Sequence, residues 1–332
     1  MGAAVGVPTA VLGASGWYRE KHRPQLPPHH LQELSGATVV VTGATSGIGK
    51  AVASRLASLG ATVVMGARDA GRGEAARQDI VSSNSAISAQ QVKVLPLDLC
   101  DMKSVRAFAK ECESHHPGTL SAIVSVAAEI VCEGGKVTAI GTDVAFATNH
   151  LGLQALVAEL EPALLKSSSG IDRKRVVIVG SRLETKATVD PEVVEATGGA
   201  QLSSDYATRD PMMRYADTKR CNELLATALT ERWRGKAVDV LTVTPGMVHT
   251  GLWRHFPLWY QALTYPVRAV ALRSADDAAQ GVVYAAAAVE AGGRSGACLS
   301  DGVEIEPSQG ARDAKVAARL YEVCSQLIER AG

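Results

Sequence analysis

At 332 residues the chain has room for one large domain or two small ones, and its 46% hydrophobic content can build a sizeable core. Its 34 basic and 34 acidic residues balance. With no basic block, that excludes nucleic acid as the main partner, because phosphate binding draws on a clustered basic excess. The six cysteines, Cys100, Cys112, Cys132, Cys221, Cys298 and Cys324, are scattered without a CxxC pair. They read as reduced, mostly buried thiols rather than a disulfide or zinc framework, and no metal is expected.

Residues 1–16 carry no charge but are interrupted by Gly2, Gly6, Pro8, Gly13 and Gly16. A membrane span needs roughly 20 mostly apolar residues, and a secretory signal needs a basic start. Gly2 sits where a myristoylated glycine would, but Gly6 stands where Ser or Thr is required. Two readings stay open: a disordered lead-in, and a weak membrane anchor or organelle-targeting segment. The second is kept because no acid precedes Glu20, and Arg19, Lys21 and Arg23 follow the apolar stretch. Residues 1–36 read as an irregular arm, with order beginning near Ala37.

Strands are expected at 37–41, 61–65, 92–97, 120–127, 175–179 and 238–243, with a short last one at 296–299. Each is a nearly continuous apolar run. Helical spacing falls between them, at 47–59, 70–81, 101–112, 143–165, 212–233, 275–288 and 311–330. This alternation predicts an α/β fold: one doubly wound Rossmann-type domain with a parallel sheet of about seven strands and helices on both faces.

Between the first strand and helix lies Thr42-Gly43-Ala44-Thr45-Ser46-Gly47-Ile48-Gly49, a GxxxGxG spacing. Glycines there let the backbone approach a pyrophosphate, and the helix N-terminus offers free N–H groups. A structural turn explains glycines too, but the position after the first strand favours a nucleotide. The second strand ends in Ala67 and Arg68, where an NAD site usually places a carboxylate. A guanidinium suits a 2′-phosphate, so NADP(H) is the expected cofactor. The neighbouring Asp69 pulls the other way if the register slips.

Tyr215-Ala216-Asp217-Thr218-Lys219 places a phenol and an ammonium on one helical face. A neighbouring cation favours the phenolate, which makes Tyr215 a candidate general acid/base. Ser181 follows the fifth strand, where an open α/β sheet places ligands. Asn149 lies inside the long helix after the fourth strand, where its amide could hold a water relaying protons from Lys219. His150 reads as a packing or interface residue rather than a catalyst.

Together the 42–49 loop, Asn149, Ser181, Tyr215 and Lys219 resemble the short-chain dehydrogenase/reductase pattern, in the same order. The resemblance runs from about Leu34 to the C-terminus. It is closest to the retinol dehydrogenase and protochlorophyllide oxidoreductase branch, in the stretches 148–152, 176–181, 246–256 and 320–323. It implies cofactor contacts at Thr42, Gly43, Ser46, Gly47, Ile48, Gly49, Arg68, Asp98, Leu99, Lys219, Pro245, Gly246, Val248 and Thr250. It also implies roles: hydride comes from NADPH, Tyr215 gives the proton, and Ser181 polarises the substrate. Lys219 orients the ribose and lowers the Tyr215 pKa, and Asn149 completes the relay. A lipophilic carbonyl or alcohol is the expected substrate, and a homodimer through the long helices is left open.

The pattern breaks in two places. Ser125-Val126-Ala127-Ala128 replaces the family's Asn-containing motif, so a hydrogen bond there must be replaced or lost. Residues 182–211 form an insertion, a loop marked by Gly198, Gly199 and Ser203-Ser204, and Arg182, Glu184 and Lys186 would make its wall polar if they face inward. Trp253, Phe256, Trp259, Tyr260 and Tyr265 cluster in a chain that is only 4% aromatic. They read as part of a substrate lid at about 251–272, with a membrane-surface patch and plain packing as the other readings. Two alternatives to the lipophilic-substrate enzyme remain: a non-catalytic nucleotide-binding regulatory or assembly subunit, and a protochlorophyllide reductase-like enzyme.

Overall fold

The computed structural model describes residues 26–131, 136–248 and 272–332. Its strands are β1 (Thr38–Thr42), β2 (Thr62–Ala67), β3 (Val92–Pro96), β4 (Leu120–Ser125), β5 (Lys174–Val179), β6 (Val238–Val243), β7 (Cys298–Ser300) and β8 (Val303–Ile305). They form one sheet in the order β3-β2-β1-β4-β5-β6-β7-β8. The first seven are parallel, and β8 returns antiparallel along β7. The helices are α1 (Gly47–Ser58), α2 (Ala70–Ser83), α3 (Met102–His115), α4 (Gly152–Lys166), α5 (Pro191–Ala196), α6 (Pro211–Arg232), α7 (Ala275–Ala287) and α8 (Ala314–Arg330).

The valine-rich strands alternate between two buried faces. Val39 and Val41 pack in the layer of α1 and α7, and Val40 packs in the layer of α3, α4 and α6. A third cluster seats Leu320, Val323 and Leu327 of α8 against Cys221 and Leu224 of α6 and Val194 of α5. The strand order reverses between β1 and β4. A doubly wound sheet opens a crevice at that point, outside the strand C-termini.

Several expectations need correction. The eighth strand is new. Asp301 and Gly302 both have positive φ, 52° and 72°, and close a two-residue hairpin between Ser300 and Val303. Asp-Gly is a strong signal for such a turn. Backbone pairing also starts before Ala37: Gln32 N donates to the Ala287 carbonyl and Val289 N to that of His30.

Nor is the 182–211 insertion an open loop. It folds into a 3₁₀ turn at Arg182–Lys186, then α5, then a turn at Tyr206–Thr208, and it buries Val194, Leu202 and Tyr206. Arg182 and Lys186 are exposed and Glu184 is buried, paired with Arg220 at 3.0 Å. None of the three lines the cleft. The 143–165 helix is interrupted by a π-helical turn, Ala147–Leu151, ahead of α4. Finally, β4 stops at Ser125, because the next two amides bond to a side chain of β1 rather than to the ladder.

Candidate active site

A cleft of about 400 Å³ opens at the switch point between β1 and β4. One end is built almost wholly from backbone. Gly43 has φ +68°, and a Cβ there would lie 2.7 Å from Ala127 N. A Cβ on Gly49 would lie 2.3 Å from the Gly43 carbonyl. The loop is thus folded onto itself so tightly that only glycine fits, and it passes Thr42, Ser46, Gly47 and Ile48 along the cleft wall.

The N-terminus of α1 faces this space. Ser46 is its N-cap residue but makes no side-chain cap hydrogen bond. By contrast, Asp69, Asp101, Asp190, Asp210, Ser274 and Asp313 each cap the helix they precede. The first-turn N–H groups of α1 therefore have no side chain competing with a ligand. Such a cradle fits a dinucleotide pyrophosphate.

The usual asparagine is replaced in part by a neighbour. Thr42 Oγ1 accepts from both Val126 N and Ala127 N, at 3.2 Å each. At the rim, Arg68 is exposed along the cleft. Asp69 turns its carboxylate to the α2 terminus, accepting from Arg72 N at 2.8 Å. Arg72 also lines the cleft, a second guanidinium one helical turn from Arg68 that the sequence reading missed. Asp98 accepts from Cys100 N at 2.9 Å, and both Asp98 and Leu99 line the wall.

The other end is built from side chains. Ser181, Tyr215, Lys219, Pro245, Gly246 and Val248 line it. Lys219 Nζ lies 5.5 Å from the Tyr215 ring centroid and donates to the Val179 carbonyl at 2.8 Å. Ser181 Oγ accepts from Leu183 N at 3.3 Å. Burial pulls the Lys219 pKa down to about 8 and pushes the Tyr215 phenol above its ordinary range. Burial alone sets the Tyr215 shift, so the expected lowering of the phenol by Lys219 is not seen and the neutral phenol is favoured.

Asn149 is brought close but does not line the cleft. Its Oδ1 accepts from Glu129 N at 2.7 Å, and its Nδ2 donates to the Glu129 carbonyl at 2.9 Å and to Thr218 Oγ1 at 3.0 Å. The side chain therefore ties the β4 exit loop to α6 beside Tyr215. His150 is buried, stacks on Phe146, and has its pKa pulled down to about 4 by burial. Asp217 points away from the cleft. It accepts from Thr188 N at 2.9 Å and lies 3.1 Å from Arg209, so it pins the insertion to α6. Thr250 and the aromatic segment at 253–265 lie outside the described residues, as does Cys132.

A short chain dehydrogenase family model matches residues 37–192. Retinol dehydrogenase 14 of Mus musculus is 33% identical over 304 residues, covering 89% of this chain and 86% of that protein. This chain belongs to the short-chain dehydrogenase/reductase superfamily, in its retinol dehydrogenase branch. Polyprenol dehydrogenase of Mus musculus is 34% identical over 322 residues, covering 96% of this chain and 90% of that one. The solved structure of an uncharacterised Mycobacterium paratuberculosis protein is 28% identical, with a TM-score of 0.66. It covers 90% of this chain and 96% of that one. The chain is thus an oxidoreductase by family. Among the described residues, no helix is long and apolar enough to cross a membrane.

Proposed function

We propose that the protein is an NADP(H)-dependent oxidoreductase that interconverts a lipophilic aldehyde or ketone and its alcohol. The observation that carries this is the cleft itself. It joins an uncapped helix N-terminus, flanked by Arg68 and Arg72, to a half-buried Ser181 and a buried Tyr215 and Lys219. Two guanidiniums at the rim, with Asp69 committed to a helix cap, support a 2′-phosphate over free ribose hydroxyls. Two relatives carry retinol and polyprenol in their names, both isoprenoid alcohols, which supports a long apolar substrate.

When bound, the nicotinamide supplies or accepts the hydride. Ser181 Oγ holds the substrate oxygen and polarises it. Tyr215 gives that oxygen its proton in reduction and takes it back in oxidation. Lys219 places a positive charge behind the phenol and orients the ribose, and Asn149 keeps the β4 exit loop against α6 while these groups work.

The test is NADPH consumption with all-trans-retinal, a polyprenal, long-chain aldehydes, quinones and steroids, beside Tyr215→Phe. Turnover is expected to fall roughly 10²–10⁴-fold in Tyr215→Phe, with NADPH affinity nearly unchanged. Tight NADPH binding without turnover of any panel member would favour a regulatory nucleotide-binding role instead.

A further inference from the structure

One buried ionisable group beside this site has no role in the chemistry above. Glu223 lies one helical turn beyond Lys219 on α6, as Lys219 lies one turn beyond Tyr215. Phenol, ammonium and carboxyl thus follow one another along one face. Glu223 is almost wholly buried. Its Oε2 accepts from the Thr242 hydroxyl of β6 at 2.9 Å. Its Oε1 lies against Gly180, where an added Cβ would come within 2.7 Å of it.

Gly180 sits between Val179, whose carbonyl receives the Lys219 ammonium, and Ser181. Two successive turns of α6 therefore grip two successive residues at the exit of β5. Packing alone does not call for a carboxyl here, because a buried charge is costly unless a partner compensates it.

We propose that Glu223 is a positioning residue that holds the Lys219 side chain in its ammonium form behind Tyr215 and Ser181. The groups facing Glu223 are Lys219 on α6, Arg312 beyond the Gln309–Ala311 turn, Glu184 of the insertion and the Cys298 thiol of β7. Lys219 and Arg312 favour its ionised form, and Glu184 opposes it. Burial pushes Glu223 up to about 7 and pulls Lys219 down to about 8, and Glu223 acts on Lys219 against that pull. Removing the carboxylate leaves burial unopposed, so the Lys219 pKa falls further. The effect on turnover rests on the oxidoreductase reading proposed above; the effect on Lys219 does not.

The experiment is ¹³C NMR of the full chain carrying lysine labelled at Cε, titrated from neutral to alkaline pH. The Lys219 signal is assigned by its loss in Lys219→Arg. Glu223→Gln keeps the volume and can still accept from Thr242, and is expected to lower the Lys219 midpoint by roughly one unit. Thr242→Val weakens the ionised form of Glu223 and is expected to move the midpoint the same way by less. A midpoint unchanged in both variants overturns the proposal. In NADPH-dependent turnover of all-trans-retinal, the alkaline limb of kcat is expected to move down with the midpoint in Glu223→Gln. A limb that stays put while the midpoint moves severs Glu223 from catalysis. A shifted midpoint in a protein that turns over no aldehyde upholds the Glu223–Lys219 coupling and instead removes the proposed NADPH-dependent aldehyde activity.

Discussion

The two ends of the cleft are made of different materials. At the β1 end, the cleft is walled mainly by peptide N–H groups, placed by glycines that no larger residue can replace, with the Arg68 and Arg72 guanidiniums at its rim. At the β5 end the working groups are ionisable side chains, Tyr215, Lys219 and Glu223, whose burial raises the phenol above its ordinary range, pulls the ammonium down to about 8 and pushes the carboxyl up to about 7. Backbone dipoles do not titrate, so on the proposed function the first end is expected to bind in the same way across a wide pH range. On the same reading, the second end depends on proton occupancy at every step. The two ends should therefore fail in different ways: damage at the first shows in cofactor affinity, and damage at the second in kcat and its pH dependence.

Gly49→Ala is the strongest way to break that contrast. The new methyl would lie 2.3 Å from the Gly43 carbonyl, and backbone on both sides leaves little room to relax. Overpacking of this kind costs about 1–3 kcal/mol, so NADPH is expected to bind roughly 100-fold more weakly. Fluorescence titration of NADPH measures this. At saturating cofactor, the pH midpoint of kcat should stay where it was. A moved midpoint would show that the two ends are not separable.

A smaller effect is expected from Arg68→Gln. It removes one exposed guanidinium from the rim and leaves Arg72 in place. Charge-assisted hydrogen bonds contribute about 1.5–3 kcal/mol, and exposure puts Arg68 at the low end. NADPH should lose roughly tenfold in Kd and NADH almost nothing, with the loss shrinking as salt rises. Equal losses for both cofactors would remove Arg68 from 2′-phosphate recognition.

The same contrast explains what could be read from sequence. The GxxxGxG spacing and the YxxxK pair are local patterns, and the structure places both on the cleft. Alternating apolar runs revealed the sheet, because every central strand is buried on both faces. The hairpin at Asp301-Gly302 was legible in principle from its turn residues, but three-residue strands carry too little periodicity to stand out. The insertion misled for another reason: its helices are short and held by long-range contacts, such as Arg209 with Asp217 and Arg220 with Glu184. Glu223 was invisible for the same reason, since only the fold brings it against Gly180 and Thr242.

The smallest effect tests how the missing asparagine was replaced. Thr42 Oγ1 accepts from two amides that would otherwise lack a partner where β4 ends. Thr42→Val keeps the shape and removes the acceptor, while Thr42→Ser keeps the acceptor and removes a methyl. Leaving donors unsatisfied costs about 1–3 kcal/mol when they are fully buried, and these two belong to half-buried residues, at the low end of that range. Urea unfolding should therefore show Thr42→Val less stable by roughly 1–2 kcal/mol, with Thr42→Ser close to the parent. NADPH affinity should fall in the same order, because Val126 and Ala127 form part of the cleft wall and Gly43 packs against Ala127. The alkaline limb of kcat should not move in either variant, since neither substitution changes a titrating group. If Thr42→Val matches the parent in stability and affinity, the two amides find another partner, and the β4 exit is held from the Asn149 side alone.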